Sequence, residues 1–340
     1  MPIAFSICSN NYLAKARVTS ETFLLKHPDY QFFIFLVDTF VSEIDYHAFG
    51  KTEVIAIKDI VPDIETLAIK YNIIELNTAV KPAVFSYLFQ RYQSSHIFYL
   101  DPDLMIFDRF TEIEELFEKE TYNLIITPHG CSPIDDGKVP SEIHLSTYGL
   151  YNLGFLAVKN SAESQRFLAF WHERLMKYCY IDPEHGMFTD QLWVNYAPIY
   201  FDGVLIFKHL GYNVANWNLY ERRIEKAGDS YNVNGAVKLK FFHFSHYKFT
   251  DPHLISYKQN RHTIEEFEDL RTIIDAYQSK LIDYKHEFYN TIPCSYQQLY
   301  ESHYLQQRKV NGRLRTIVRN AKNKAILVTH RLFVPSSKNN

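Results

Sequence analysis

Short, densely apolar runs alternating with helix-like segments restrict the fold of this chain more than any other feature. Ile3 to Cys8 is followed by a polar break at Ser9-Asn10-Asn11, a helix-like run to Lys26, and a second apolar run from Tyr30 to Val37. That order opens a βαβ unit and a parallel sheet. Further apolar runs occur at Val54–Ile57, Ile97–Leu100, Leu124–Ile126 and Phe155–Val158, with helix-like segments at Lys81–Gln93 and Ala162–Tyr178. The pattern predicts an α/β fold with a mainly parallel central sheet flanked by helices. In such sheets ligands gather beyond the carboxyl ends of the strands, so the polar residues just after each run are the candidates for chemistry. A length of 340 residues with 46% hydrophobic content suffices for such a core. The longest purely apolar run, Phe32 to Val37, is far shorter than the ~18 residues of a spanning helix. The strand-like N-terminus lacks the basic flank of a signal peptide. Four widely spaced cysteines without a C-x-x-C pair give neither a disulfide framework nor a zinc knuckle. A cytoplasmic protein, free or peripheral on the cytoplasmic face of the inner membrane, is the expectation.

Charge divides the chain. Nine of its 36 Lys and Arg lie in residues 305–340, which carry no Asp or Glu, leaving 27 basic against 39 acidic residues before them. An acidic body is a poor partner for nucleic acid, whose affinity comes largely from cations meeting phosphates. In the tail, Val310, Leu314, Ile317, Val318, Ala321, Ala325, Val328 and Leu332 form one stripe at helical spacing among basic residues. This predicts a basic amphipathic helix that either lies on an anionic membrane surface or docks on the body. The expected division is a body over 1–260, a helical extension packed on it over 261–304, and the basic tail over 305–340.

The strongest local signal is His96-Ile97-Phe98-Tyr99-Leu100-Asp101-Pro102-Asp103, a buried strand ending in two carboxylates. Spacing by two residues puts both on one side of extended backbone, and Pro102 holds Asp101 extended. Oxygen ligands at a strand end suit Mg²⁺ or Mn²⁺. The plain alternative is an Asp-Pro-Asp turn with no further role. The segment from Pro128 to Tyr151 is rich in turn formers and reads as a long loop of the kind that carries function.

At these residues the chain resembles the metal-dependent nucleotide-sugar glycosyltransferases of GT-A fold, in particular the glycogenin-like and lipooligosaccharide galactosyltransferase-like members. The Tyr99-Leu100-Asp101-Pro102-Asp103 strand end matches their Asp-x-Asp motif, and four further matches follow in the family's order over roughly residues 1–260. Ser9-Asn10-Asn11-Tyr12 stands where the family binds the nucleotide, and Asn152-Leu153-Gly154 resembles its Asn-x-Gly strand entry beside the donor sugar. Asp190-Gln191 resembles its catalytic Asp-Gln pair, and His243 falls on the strand whose histidine completes the metal site. The resemblance implies Asp101, Asp103 and His243 as metal ligands, with Asp101 also on the donor side, Mn²⁺ or Mg²⁺ as cofactor, and a nucleoside diphosphate sugar, UDP-linked, as donor. The acceptor is then a hydroxyl of a cell-surface glycan or a lipid-linked saccharide, of the lipopolysaccharide or capsule kind.

Other residues are weighed beside that resemblance. Lys81 at a helix start either pairs with donor phosphate or is a solvated lysine; Asn10 and Asn11 either bind the nucleotide or cap the following helix. Asp190 is either a reacting-centre residue or a helix N-cap. Asn213, Asn216, Trp217 and Asn218 form an amide and indole patch, read either as sugar recognition or as a surface turn. Trp217, Asn218, His129 and Glu142 are assigned to the acceptor side. The family's His-x-x-Gly-x-x-Lys-Pro is altered here, with His246 in place of Gly and Lys248 one position early. Both remain donor-side candidates. A retaining reaction is expected, and an inverting one would need a general base such as Asp135, Asp136 or Glu142. The rival readings are a sugar nucleotidyltransferase, against which the first loop lacks a phosphate-binding Gly, and a non-catalytic glycan-binding module.

Overall fold

The computed structural model describes residues 1–119 and 121–306. The basic stripe from Val310 to Leu332 therefore lies outside the described residues. Seven strands form the central sheet: β1 (Ile3–Cys8), β2 (Gln31–Leu36), β3 (Thr52–Ala56), β4 (His96–Leu100), β6 (Leu124–Pro128), β7 (Tyr151–Lys159) and β8 (Val204–Ile206). Their order is β8-β6-β7-β4-β1-β2-β3. All neighbours run parallel except β7, which is antiparallel to both β4 and β6. A small second sheet places β5 (Leu104–Ile106) beside β10 (Phe241–His243), which in turn pairs with β9 (Val214–Ala215).

The central strands are apolar along their length because both faces are covered. Phe5 and Ile7 face one core, with Phe85 and Leu88 of α2 (Lys81–Tyr92) and Trp171 of α3 (Ala162–Tyr178). Ala4 and Cys8 face the other, with Leu13 and Phe23 of α1 (Leu13–Lys26). Alternation of neighbouring side chains across the strand produces this division. Pro82 sits in the first turn of α2, where its missing N–H costs nothing. Ser161 caps α3 by accepting the Ser164 amide at 3.1 Å.

The C-terminal part shares a third core with the body. Leu270, Ile273, Ile274 and Tyr277 of α4 (Glu268–Asp283) pack with Met105, Phe242 and Phe244, and the Tyr277 ring stacks on Phe244 at 3.7 Å. Beyond it, Ser295 donates its backbone amide and hydroxyl to Asp38 just after β2, at 2.9 and 2.6 Å. Among the described residues no helix is long and apolar enough to cross a membrane. The expected long loop after Pro128 is shorter than its sequence indicated, because Glu142–Tyr148 is helical, with Ser141 and His144 closing a capping box at its start.

Candidate active site

Register brings the two acids and the histidine together. At the end of β4, Asp101 donates its amide to the Gly154 carbonyl of β7 at 2.8 Å. The chain then turns at Pro102-Asp103 into β5, where His243 of β10 pairs opposite Leu104, and the Phe244 amide reaches the Asp103 carbonyl at 2.9 Å. The acids thus converge through a turn and not through extended alternation, which corrects the expectation for this motif. His243 Nε2 lies 3.2 Å from Asp103 Oδ1 and 3.8 Å from Asp101 Oδ2. One ligand atom from each of the three side chains lies within 4.8 Å of the others.

Their supports come from three directions. Thr19 of α1 donates its hydroxyl to the Pro102 carbonyl at 2.8 Å and accepts the Leu104 amide at 3.1 Å, clamping the turn. His243 Nδ1 donates to Asn213 Oδ1 at 3.2 Å, which leaves Nε2 facing the carboxylates. Asn213 Nδ2 in turn reaches Asn152 Oδ1 at 2.9 Å and Thr127 Oγ1 at 3.0 Å. The amide series continues from Asn152 Nδ2 to Gln191 Oε1 at 3.4 Å, while Gln191 Nε2 donates to the Tyr148 carbonyl at 3.1 Å. Gly154 is dictated by the imidazole: a Cβ there would lie 2.4 Å from His243 Cε1.

Charge is arranged around the same three groups. Burial raises the Asp101 pKa, against the lowering effects of Lys81 and His243. For Asp103, burial also acts upward, but the charge and hydrogen bond of His243 prevail and bring it to about 2. Burial pulls His243 down while Asp103 and Asp101 raise it, with a net rise. Cation binding there requires that imidazole to give up its proton. Two carboxylates and an imidazole nitrogen suit Mn²⁺ or Mg²⁺, and the His243 separations are those spanned by two ligands of an ion with bonds of roughly 2.1 Å. The residues fit such an ion.

Lys81 is buried, so the solvated reading does not hold. Its Nζ lies 2.7 Å from Asp190 Oδ2 and 3.9 Å from Asp101 Oδ1, donates to the Leu153 carbonyl at 3.1 Å, and sits 4.2 Å from the centre of the Tyr99 ring. The Tyr99 hydroxyl donates to Asp101. Asp190 makes no side-chain capping bond to the short helix Gln191–Val194 and is instead 2% exposed against Lys81.

Several candidates occupy places that their sequence did not reveal. Asn10 neither caps a helix nor faces solvent: its amide binds the Thr39 carbonyl and the Tyr46 hydroxyl and so holds the loop after β2. Ser9 donates to Asn11, which is partly exposed, and Tyr12 is exposed. Asn218 is fully buried, donating to the His129 and Asn213 carbonyls and accepting the Ala215 amide. It is an internal staple, not an acceptor contact. Trp217 is not in a surface turn either. It is 7% exposed, set edge-to-face against His243 at 5.1 Å and His129 at 5.4 Å, and its Nε1–H has no partner among the described residues.

His246, exposed, takes φ +59°, the left-handed conformation for which glycine is the usual residue, and its Nδ1 lies 3.1 Å from the Tyr257 hydroxyl. Lys248 is exposed. Glu142, also exposed, accepts the Ile134 amide at 3.2 Å, and Asp136 is bound by Arg261, whose hydrogen bonds hold its carboxyl well below the usual range. A groove of roughly 550 Å³ beside β3, walled by Phe40, Tyr46 and Glu53, includes none of Asp101, Asp103, Asp190 and His243. Sequence reasoning missed Thr19, the positioning role of Asn213, and Lys15. The signal for Lys15 was a lone lysine among Leu13, Ala14, Ala16 and Val18.

No family model matches the chain. It is 27% identical over 172 residues to the uncharacterised protein YfnD of Bacillus subtilis (strain 168), covering 49% of this chain and 51% of that protein. It is 26% identical over 184 residues to the uncharacterised protein YfnF of the same organism, covering 54% and 58%. The chain thus spans about half the length of the curated relatives it matches. Among solved structures, galactosyltransferase LgtC in complex with donor and acceptor sugar analogs aligns with a TM-score of 0.49 at 14% identity, over 88% of this chain and all of LgtC. A glycosyltransferase involved in glycosylation of the major capsid of PBCV-1 aligns at 0.44 with 10% identity, over 82% of this chain and 98% of that one.

Proposed function

We propose that the chain is a metal-dependent glycosyltransferase that moves a sugar from a nucleoside diphosphate donor, UDP-linked, to a hydroxyl of a surface glycan or lipid-linked saccharide. The observation that carries this reading is the convergence of Asp101, Asp103 and His243 beside the Asn152–Gln191 amide contact and the Lys81–Asp190 pair. Asp101, Asp103 and His243 hold Mn²⁺ or Mg²⁺, which when bound takes up charge on the diphosphate as it leaves. Asn11 and Tyr12 face the nucleotide. Asn152 and Gly154 border the donor sugar, with Gln191 fixed near its reacting face and Asp190 held behind it by Lys81. The unpartnered Trp217 Nε1–H beside His243 supplies a donor for a sugar hydroxyl. Retention at the anomeric carbon is what the resemblance of Asp190 and Gln191 to the family's catalytic pair implies.

A thermal-shift panel of nucleotides and sugar nucleotides with and without Mn²⁺ tests this, since a ligand of the folded state raises its stability. The expected result is a Mn²⁺-dependent rise with nucleoside diphosphates, absent in Asp103→Asn, together with slow hydrolysis of the matching sugar nucleotide. Release of pyrophosphate from a nucleoside triphosphate would instead establish a nucleotidyltransferase. Glycan binding without turnover of any donor would leave a lectin.

A further inference from the structure

A charge is left over on the donor side of this site. The two carboxylates balance one divalent ion, and a sugar nucleotide then adds two negative charges on its diphosphate. Lys81, the nearest lysine to Asp101, is already committed to Asp190. In the resembling family a lysine six residues beyond the metal histidine meets such charge; here that position is Phe249, whose ring packs against His286 at 4.8 Å. Lys248, one residue earlier, is exposed, and a second, buried cation stands elsewhere in the fold.

Lys15, in the first turn of α1, is 9% exposed. Among the described residues it has no carboxylate within 4 Å and no hydrogen bond; its one close contact is the Tyr12 ring, 4.4 Å from Nζ. Long aliphatic stems are often buried, but an ammonium drawn under the surface without a counter-ion is costly. Thr19, one turn further on the same face of α1, bonds the Pro102 carbonyl and the Leu104 amide on either side of Asp103, so Lys15 stands on the face of α1 that meets the Asp-Pro-Asp turn. Burial lowers the Lys15 pKa while Asp103 opposes that fall, and Lys15 helps in turn to keep Asp103 low. Burial first and Lys15 second bring His286 to about 4. The ammonium therefore lies over the Tyr12 ring at 4.4 Å, on the α1 face that meets the Asp-Pro-Asp turn.

We propose that Lys15 binds the diphosphate of the sugar-nucleotide donor, supplying from the first helix the positive charge that the resembling family carries on the segment after its metal histidine. The inference rests on the proposed donor chemistry and is separable from it by experiment. Calorimetric titration of the full chain with UDP, GDP, UMP and uridine, each with Mn²⁺, is the measurement. Wild type is expected to bind a nucleoside diphosphate; binding none of these overturns both the donor reading and the role of Lys15. Lys15→Met, which fills the same volume, is expected to weaken diphosphate binding by about tenfold or more while leaving uridine binding unchanged. Lys15→Arg is expected to restore most of the loss. Full diphosphate affinity in Lys15→Met overturns the assignment of Lys15 while leaving the donor reading standing. Equal losses for diphosphate and nucleoside overturn it too, by making Lys15 a structural residue. If Lys15→Met does not fold, Lys15→Arg and Lys15→Gln decide by the same comparison, with only Gln expected to lose diphosphate affinity.

Discussion

Gly154 and Asp103 set the limits of the site at the scale of single residues. A side chain at position 154 would meet the His243 ring at 2.4 Å, with the ring held from behind by Asn213. Gly154→Ala is therefore expected to displace the imidazole and weaken Mn²⁺ binding by about tenfold or more, the range seen when the supports of metal ligands are lost. Mn²⁺ titration followed by paramagnetic relaxation checks this, and unchanged affinity would show that His243 is not a ligand. Lys81 behaves differently because its partner is buried. Removing the cation in Lys81→Met leaves Asp190 charged and unpaired at 2% exposure, a loss of about 3–5 kcal/mol by urea unfolding. A solvated lysine, as its place at a helix start suggested, would lose almost nothing.

At the scale of elements, α1 does more than cover the sheet. Its buried face carries Thr19, which clamps the Asp-Pro-Asp turn, and Thr22, whose hydroxyl accepts the Ile106 amide at 3.1 Å. Thr19→Val keeps the shape but leaves the Leu104 amide and Pro102 carbonyl without that partner. The expected cost is about 1–3 kcal/mol, with a larger fractional loss of Mn²⁺ affinity than an equally destabilising core change such as Leu88→Ala produces. Parallel unfolding and metal titrations of the two variants separate local from global effects. β5 and β10 are only three residues each, yet their pairing brings Asp103 and His243 together across about 140 positions of sequence. The apolar pattern marked β4 well because a long buried strand is a local signal. It marked β5 and β10 poorly because strands this short exist through their partners.

The whole molecule carries a pH dependence from buried neutral histidines. Burial, ahead of every other influence, brings His27, His96 and His286 down to about 4 from an ordinary 6.5. His27 accepts the Phe110 amide and His96 contacts the Tyr30 hydroxyl, so each is built into the fold uncharged. Because the folded pKa is depressed, the unfolded chain binds more protons between about 6.5 and 4. Stability is thus full above that window and declines as pH falls through it. Urea unfolding at pH 7.5, 6 and 5 should show a progressive loss, reaching a few kcal/mol by about pH 5; a flat profile would mean these imidazoles are hydrated. Sharing of one core between α4 and the body also predicts a single unfolding transition for residues 1–306, without a separate melt of the C-terminal helices.

Much of the site was legible because its chemistry is written in local letters. Asp101 and Asp103 end a recognisable apolar run, whereas Gln191 and His243 were read from the resemblance, in the order it implies. The misreadings share one cause. Asn10 and Asn218 looked like ligand-facing groups because amides serve equally for recognition and for internal stapling, and only the packed environment distinguishes the two. Alternating apolar and helical periods by themselves determined the α/β architecture and the strand ends at which polar residues would collect. Tertiary structure alone decided that Lys81 is neutralised by Asp190, that Asn213 orients His243, and that Lys15 has no carboxylate within 4 Å among the described residues. Such outcomes depend on distances between segments far apart in the chain, set when sheets and helices pack, and no run of neighbouring residues encodes them.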